Sequence, residues 1–66
     1  MNVWINGEQR ELQAATNVLE LMTELKLPAP TLLVEHNAIA LRREEWPGCP
    51  LSEGDRLEII RIVAGG

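Results

Sequence analysis

One helical stripe of apolar residues is the feature that most restricts how this chain can fold. The stripe follows the spacing i, i+3, i+4 and i+7 and consists of Val18, Leu21, Met22 and Leu25. Asn17 stands at the N-cap position with Glu20 three residues later, which is a capping box with asparagine in place of serine or threonine. Every other patterned segment is strand-like. Because one helix can cover only one face of a sheet, the pattern predicts a two-layer α+β domain.

The helix has predicted limits and a predicted outer face. Pro28 and Pro30 are expected to end it, since proline lacks the N–H that would continue the hydrogen-bonding pattern. Glu20 and Glu24 lie outside the apolar stripe, so both carboxylates are expected to face water.

Strand patterns and turn signals occupy the rest of the chain. Residues 1–6 alternate between apolar and polar, and Asn6-Gly7 is the strongest short signal for a hairpin, because both turn positions require positive φ. The returning segment is polar, as in an edge strand. Residues 42–50 contain two prolines and a glycine and are expected to be irregular. The predicted strands are residues 1–6, 8–12, 31–36, 39–41 and 56–63.

This order of elements predicts one architecture. The first and last strands are expected to lie side by side and parallel at the centre of the sheet, with the helix crossing over them in the right-handed sense. That arrangement is the β-grasp, or ubiquitin-like, fold: a mixed four- to five-stranded sheet with one helix packed on one face. Residues 1–63 would form the domain, and residues 64–66 a flexible tail.

Composition excludes several classes of function. The chain has 66 residues, too few for a large core or a deep substrate pocket, and its 45% hydrophobic content is too high for a disordered chain. Ten acidic and six basic residues give a net charge of −4, which argues against binding nucleic acid and suits a basic partner surface. One cysteine, with no apolar run of membrane-helix length and no evident signal peptide, predicts a soluble cytoplasmic protein.

The sequence ends in Gly65-Gly66, directly after an apolar strand. Glycine has no Cβ, so such a tail is flexible and thin enough to enter a narrow channel. The Gly66 carboxylate is also unhindered, so that another enzyme could activate it. We therefore expect the tail to have a function.

With the tail in place, the chain resembles the ThiS family, the sulfur carrier proteins of thiamin biosynthesis, over essentially its whole length. The segments that carry the resemblance are Asn6-Gly7, Asn17-Val18, Val34-Glu35-His36-Asn37, Arg43-Glu44-Glu45-Trp46, Glu53-Gly54-Asp55-Arg56 and Val63-Ala64-Gly65-Gly66. The chain departs from the family pattern at Ala38, where glycine is usual, and at Arg42, where proline is common. Its Pro47-Gly48-Cys49-Pro50 segment is also unusual.

The resemblance implies a function for the tail. A ubiquitin-activating-like adenylyltransferase would use ATP to adenylate the carboxylate of Gly66, beside Gly65. Sulfur from a cysteine desulfurase relay would then replace one oxygen and give a C-terminal thiocarboxylate. Thiazole synthase would take that sulfur for the thiazole ring of thiamin. The protein would be a carrier with no bound cofactor, and catalysis would belong to its partners.

Strand alternation predicts where those partners dock. If Leu57 and Ile59 face the helix, then Ile60 and Ile62 face away from it, onto a side of the sheet that no helix covers. Together with Val63 and Ala64, which lead into the tail, these residues are the predicted docking surface. The alternative is that neighbouring side chains such as Trp4 cover the two isoleucines.

The remaining side chains that could act as a nucleophile, a base or a metal ligand are interpreted as structural or incidental. Cys49 has no sequence neighbour that would lower its pKa, so it is taken as incidental. His36 stands alone beside a turn, without the Cys and His cluster of a metal site. Trp46 is expected to pack, and Glu44-Glu45 to form a solvated turn. No glycine pattern of a phosphate-binding loop occurs, so the chain is not expected to bind ATP itself.

Other functions stay open on the sequence alone. A sulfur carrier for another pathway, such as molybdopterin synthesis, ranks second, because such carriers tend to be longer and lack the Asn6-Gly7 opening. A ubiquitin-like modifier of target lysines and a passive interaction domain come from a different class.

Overall fold

The computed structural model describes residues 1–62 and contains the predicted elements in the predicted order. The strands are β1 (Asn2–Ile5), β2 (Glu8–Glu11), β3 (Leu32–His36), β4 (Ile39–Leu41) and β5 (Arg56–Arg61), and the helix is α1 (Val18–Glu24). Short 3₁₀ helices span Ala29–Thr31 and Arg43–Gly48.

The five strands form one mixed sheet in the order β2-β1-β5-β3-β4. β1 and β5 are parallel neighbours at its centre, and the other pairs are antiparallel. The predicted β-grasp topology is therefore confirmed. β5 lies between β1 and β3: it pairs with β3 along Leu57–Arg61, and with β1 at Arg56 and Leu57.

The core lies between the sheet and the helix. Val18 and Leu21 are completely buried and Met22 almost so, which confirms the predicted stripe, although Leu25 at its end is only partly buried. The other buried apolar residues are Val3, Ile5, Leu12, Ala15, Val34, Trp46, Leu51 and Leu57. All apolar positions of β1 and β3 that point toward α1 are thus used in one core.

The beginning of α1 confirms Asn17 as the N-cap, whereas the Glu20 carboxylate binds Thr16, one residue before the N-cap N–H that a capping box would use. Asn17 Oδ1 accepts a hydrogen bond from the Glu20 backbone N–H at 2.8 Å, and Glu20 Oε1 accepts from both the N–H and the hydroxyl of Thr16 at 2.7 Å. The bond to Asn17 satisfies the Glu20 N–H, which the first helical turn would otherwise leave unpaired, and the bonds from Thr16 hold the chain just before the helix.

Glu20 is exposed, as predicted, and Glu24 is only partly exposed. The Glu20 carboxylate binds Thr16, and Glu24 binds the chain that leads into the helix. Its two carboxylate oxygens accept hydrogen bonds from three consecutive backbone N–H groups, those of Gln13, Ala14 and Ala15, at 2.6, 3.0 and 2.9 Å. Helical periodicity shows only that a residue lies off the apolar stripe, and cannot show that a neighbouring loop folds over it.

The helix ends for a different reason from the one predicted. The Leu27 N–H donates to the Met22 carbonyl and the Lys26 N–H to the Thr23 carbonyl, which is the bonding pattern of a Schellman motif. Lys26 has the positive φ of 55° that this motif requires. Pro28 and Pro30 come after this cap, in and beside the first 3₁₀ helix.

Residues 42–50 are more regular than expected, because the second 3₁₀ helix occupies most of them. Trp46 on this helix is 1% exposed and belongs to the core, so its predicted packing role is confirmed. The helix therefore closes the edge of the core that α1 leaves open.

Candidate functional site

The side chains of β5 alternate between the two faces of the sheet as predicted. Leu57 is buried and Ile59 partly buried on the helix side, whereas Ile60 is 55% exposed and Ile62 50% exposed. The apolar side chains beside the tail are thus open to contact on the face that α1 does not cover.

A third apolar side chain enlarges this surface. Leu33 on β3 is the register partner of Ile60 and is 54% exposed. We call Leu33, Ile60 and Ile62 the open-face patch. The exposure of Leu33 could have been predicted from the sequence, because strand alternation that places Leu32 and Val34 on the helix side places Leu33 on the opposite face.

Trp4 lies on β1 beside Arg56, four residues before Ile60 along β5, and is itself 41% exposed. Ile60 and Ile62 stay at least half exposed, so neighbouring side chains cover the two isoleucines only in part.

Acidic side chains border the open-face patch. Glu35 on β3 and Glu58 on β5 are direct cross-strand partners two residues along each strand from the Leu33–Ile60 pair, and both are exposed. Like charges opposite each other destabilise a sheet slightly. A basic side chain of a partner placed between the two carboxylates would relieve that repulsion, in keeping with the net charge of −4.

Two asparagines hold β5 in place from opposite sides. Asn6 follows β1 at a φ of 51°, and Asn37 follows β3 at a φ of 49°. The Asn6 side chain bonds both backbone groups of Ile59, and Asn37 Oδ1 accepts from the Arg56 N–H at 2.9 Å. The two turns thus fix the strand that presents the open-face patch.

His36, Cys49 and Asp55 form a second group of chemically competent side chains, which the sequence did not predict. His36 Nε2 lies 2.7 Å from Asp55 Oδ2, and the Cys49 sulfur lies 3.4 Å from His36 Nδ1. Nothing in the sequence indicates this contact, since the sequence predicts only that His36 is structural and Cys49 incidental. They are thirteen residues apart in sequence, and only the fold of residues 42–50 brings them together.

The ionisation of this group follows from its surroundings. Burial raises the pKa of the Cys49 thiol, and the carboxylates of Asp55 and Glu45 raise it further. Burial acts against the ionisation of Asp55, but hydrogen bonds from His36, the Ser52 N–H and Asn37 outweigh it and lower its pKa. At neutral pH Cys49 is therefore a protonated thiol and Asp55 an ionised carboxylate.

Residues 1–62 contain neither a metal-binding cluster nor a membrane-spanning helix. No three His, Cys, Asp or Glu side chains in that range are arranged to hold a metal ion. Within the same range no helix combines the length and the apolar character needed to cross a bilayer.

The predicted tail site and half of the predicted docking surface lie outside the described residues. These are Val63, Ala64, Gly65 and Gly66. Their assigned roles stay predictions, and the open-face patch is the part of the site that the structure contains.

Comparison with known proteins identifies the family. The model of the ThiS family matches residues 3–66. The chain is 34% identical over 64 residues to the sulfur carrier protein ThiS of Thermus thermophilus, covering 97% of this chain and 98% of that protein. The crystal structure of a thiamine biosynthesis protein (ThiS) from Geobacter metallireducens superposes with a TM-score of 0.86 at 33% identity, over 100% of both chains.

A longer relative matches as well. The chain is 32% identical over 66 residues to a thiazole synthase of Paramagnetospirillum magneticum, and it spans 20% of the length of that protein. The matches to the family model and to a relative of equal length are independent of this longer protein. The chain belongs to the ThiS family, the family of the small sulfur carrier proteins of thiamin biosynthesis.

Proposed function

We propose that this ThiS-family chain carries sulfur as a thiocarboxylate on Gly66 and that partner enzymes perform every catalytic step. A ubiquitin-activating-like adenylyltransferase would adenylate the Gly66 carboxylate with ATP, and a cysteine desulfurase relay would supply the sulfur. Thiazole synthase would accept it. The chain itself would bind no cofactor, and its place would be the cytoplasm, where cysteine thiols stay reduced.

The chemistry explains why a glycine terminus suits this role. A carboxylate resists nucleophiles because its charge is delocalised, whereas its acyl adenylate carries a good leaving group. The sulfur nucleophile then attacks the carbonyl carbon and expels AMP. Gly66 has no side chain beside that carbon, so neither the activating enzyme nor the sulfur donor meets a steric barrier.

The open-face patch is the observation that carries the proposal. Leu33, Ile60 and Ile62 are each at least half exposed, and Ile62 is the last described residue before the tail. A partner that covers the patch would contact the chain directly beside the group to be activated. Val63 and Ala64 would continue this contact toward Gly65.

Two names among the relatives support thiazole synthase as a partner. Proteins of Paramagnetospirillum magneticum and Magnetococcus marinus named thiazole synthase each contain a region similar to this entire chain, which spans 20% of their length. A carrier-like region joined to an enzyme in one polypeptide would place the tail at high effective concentration near that enzyme. We infer that the separate chain docks on a corresponding enzyme.

Deletion of Gly66 tests the carrier role. The variant should lose AMP transfer by the cognate activating enzyme, measured as pyrophosphate exchange, while its melting temperature stays unchanged because the open-face patch and core are intact. A matched control, Gly48→Ala, alters a glycine with open space around its Cβ position and should keep full exchange. Full exchange by the shortened chain would contradict the proposal.

Mass spectrometry of the protein from cells separates the remaining candidates. A sulfur carrier shows replacement of oxygen by sulfur at the C-terminus, whereas a ubiquitin-like modifier shows isopeptide conjugates to lysine. Supply of the purified thiocarboxylate to thiazole synthase then distinguishes thiamin synthesis from molybdopterin synthesis.

A further inference from the structure

We propose that Cys49, His36 and Asp55 form a second reactive site, at which the Cys49 thiol accepts a sulfane sulfur atom from a persulfide or polysulfide. The class of sulfur donor rests on the proposed carrier function, whereas the reactivity of the thiol rests on geometry alone. The site has three parts: a nucleophile, a base within hydrogen-bonding distance of it, and a carboxylate that orients the base.

The hydrogen bonds fix the proton positions. The ionised Asp55 carboxylate can only accept, so His36 Nε2, at 2.7 Å, must donate. In the neutral ring Nδ1 then carries the lone pair, and it faces the Cys49 sulfur at 3.4 Å. In this tautomer the thiol can donate its proton to His36 Nδ1, and Asp55 would stabilise the imidazolium that forms when His36 takes this proton.

The backbone holds all three residues in place. The Cys49 carbonyl accepts from the Val18 N–H at 3.1 Å, and the Cys49 N–H donates to the Trp46 carbonyl at 3.2 Å. His36 is paired to Leu57 within the sheet, and Asp55 accepts from the Ser52 N–H at 2.9 Å. A thiol held on rigid elements needs little reorganisation to react.

The raised pKa of Cys49 means that the thiol needs a base, His36, in order to react. The same burial and carboxylates that keep Cys49 protonated leave little thiolate for an unassisted reaction. Proton transfer to His36 during attack removes this obstacle. The sulfur is only partly buried, which suits a small electrophile better than a bulky disulfide.

The proposed step balances without an added oxidant. Cys49 Sγ forms a bond to the outer sulfur of R–S–SH, the S–S bond to R breaks, and its electron pair leaves with R–S⁻. The thiol proton passes through His36 Nδ1 to that leaving group. The products are Cys49–S–SH and R–SH, and the transferred sulfur keeps its oxidation state.

The site is distinct from the tail. His36 pairs with Leu57 near the beginning of β5, whereas the tail follows the other end of that strand. Five residues at about 3.3 Å each place Leu57 roughly 16 Å from Ile62. Cys49 therefore lies beside the beginning of β5, at the other end of the strand from Ile62, the last described residue.

The test measures the rate of Cys49 persulfide formation with inorganic tetrasulfide, by alkylation and intact-mass analysis. Each variant is measured folded and in denaturing urea, because the ratio of the two rates isolates the effect of the fold. His36→Gln should lower this ratio at least about tenfold, a modest share of the 10²–10⁴-fold typical of general base catalysis. A smaller decrease would show that the three residues form a structural hydrogen-bond array only.

Two further variants keep the test decisive. Asp55→Asn removes the charge that stabilises the imidazolium and should lower the same ratio, and an unchanged ratio overturns the three-residue site even if His36→Gln does not fold. The chain without Gly66 should keep the wild-type ratio while it loses tail activation. Failure of the Cys49 site is thus distinguishable from failure of the carrier function.

Discussion

Asn6 and Ile59 are joined by two hydrogen bonds, in which the side-chain amide of Asn6 pairs with the backbone of β5 as a neighbouring strand would. The Ile59 N–H donates to Asn6 Oδ1 at 2.8 Å, and Asn6 Nδ2 donates to the Ile59 carbonyl at 3.0 Å. Backbone pairing between β1 and β5 stops at Ile5 and Leu57, because the chain turns away at Asn6. The amide group therefore continues the ladder up to the residue that precedes Ile60.

Replacement of Asn6 tests this connection. Asn6→Gly tolerates the φ of 51° but loses both hydrogen bonds, so it should reduce the free energy of unfolding by about 1–2 kcal/mol. Asn6→Ala should cost about 1 kcal/mol more, because alanine also resists positive φ. Urea unfolding measures both. Equal stability of Asn6→Gly and the wild type would mean that water replaces the amide without loss.

Ala38 is a strained position that can be relieved. It has a φ of 71° in the turn between β3 and β4, at the place where the family usually has glycine. Ala38→Gly should therefore stabilise the protein by about 1 kcal/mol. Ala40→Gly, in the ordinary strand backbone of β4, is the matched control and should destabilise by about 0.5–1 kcal/mol. Thermal melts that rank the two variants in the opposite order would contradict the prediction.

Glu24 should make stability depend on acid pH. Hydrogen bonds from the backbone N–H groups of Gln13, Ala14 and Ala15 lower its pKa in the folded state. A lowered pKa means that the stabilisation is present above the unfolded value, about 4.3, and is lost as pH falls through the folded value.

Glu24→Gln isolates this contribution. The variant should be less stable than the wild type at pH 7, and the difference should shrink as the wild-type carboxylate is protonated. Glu8→Gln, at an exposed position of β2, is the control and should change stability by less than about 0.5 kcal/mol. Urea unfolding at a series of pH values gives the comparison. A difference independent of pH would show that the three bonds do not need the charge.

The fold was predictable because its signals are local and periodic. The stripe containing Leu21, the Asn6-Gly7 turn and the alternation of β5 each follow from residues close in sequence. The hydrogen bonds of Glu24 were not predicted, and the end of α1 was predicted for the wrong reason. The first depends on a loop that folds back over the helix, and the second on Lys26 adopting a positive φ that glycine more often supplies.

The candidate site also has one part that could be predicted from the sequence and one part that could not. Exposure of Ile60 and Ile62 follows from strand parity, and Leu33 follows from the parity of β3. The contact between Cys49 and His36 could not be predicted, because it requires the 3₁₀ helix that carries Trp46 to place Cys49 beside the end of β3.

Ile60→Glu tests whether the open-face patch docks partners. Burial of an isoleucine at an interface contributes about 1.5–3 kcal/mol before ordering costs, and a carboxylate there would also lie near Glu58. Affinity for the activating enzyme and for thiazole synthase should fall at least about tenfold, or about 1.4 kcal/mol, in calorimetric titration.

The stability of this variant decides how a loss of affinity is interpreted. Ile60 is 55% exposed in the unbound protein, so the melting temperature should change far less than for a core substitution. Leu19→Glu, at an exposed apolar position of α1 on the other side of the molecule, is the matched control and should bind normally. Equal weakening by Leu19→Glu would indicate a general effect of added negative charge. Unchanged affinity of Ile60→Glu would mean that docking depends on the tail or on another face of the sheet.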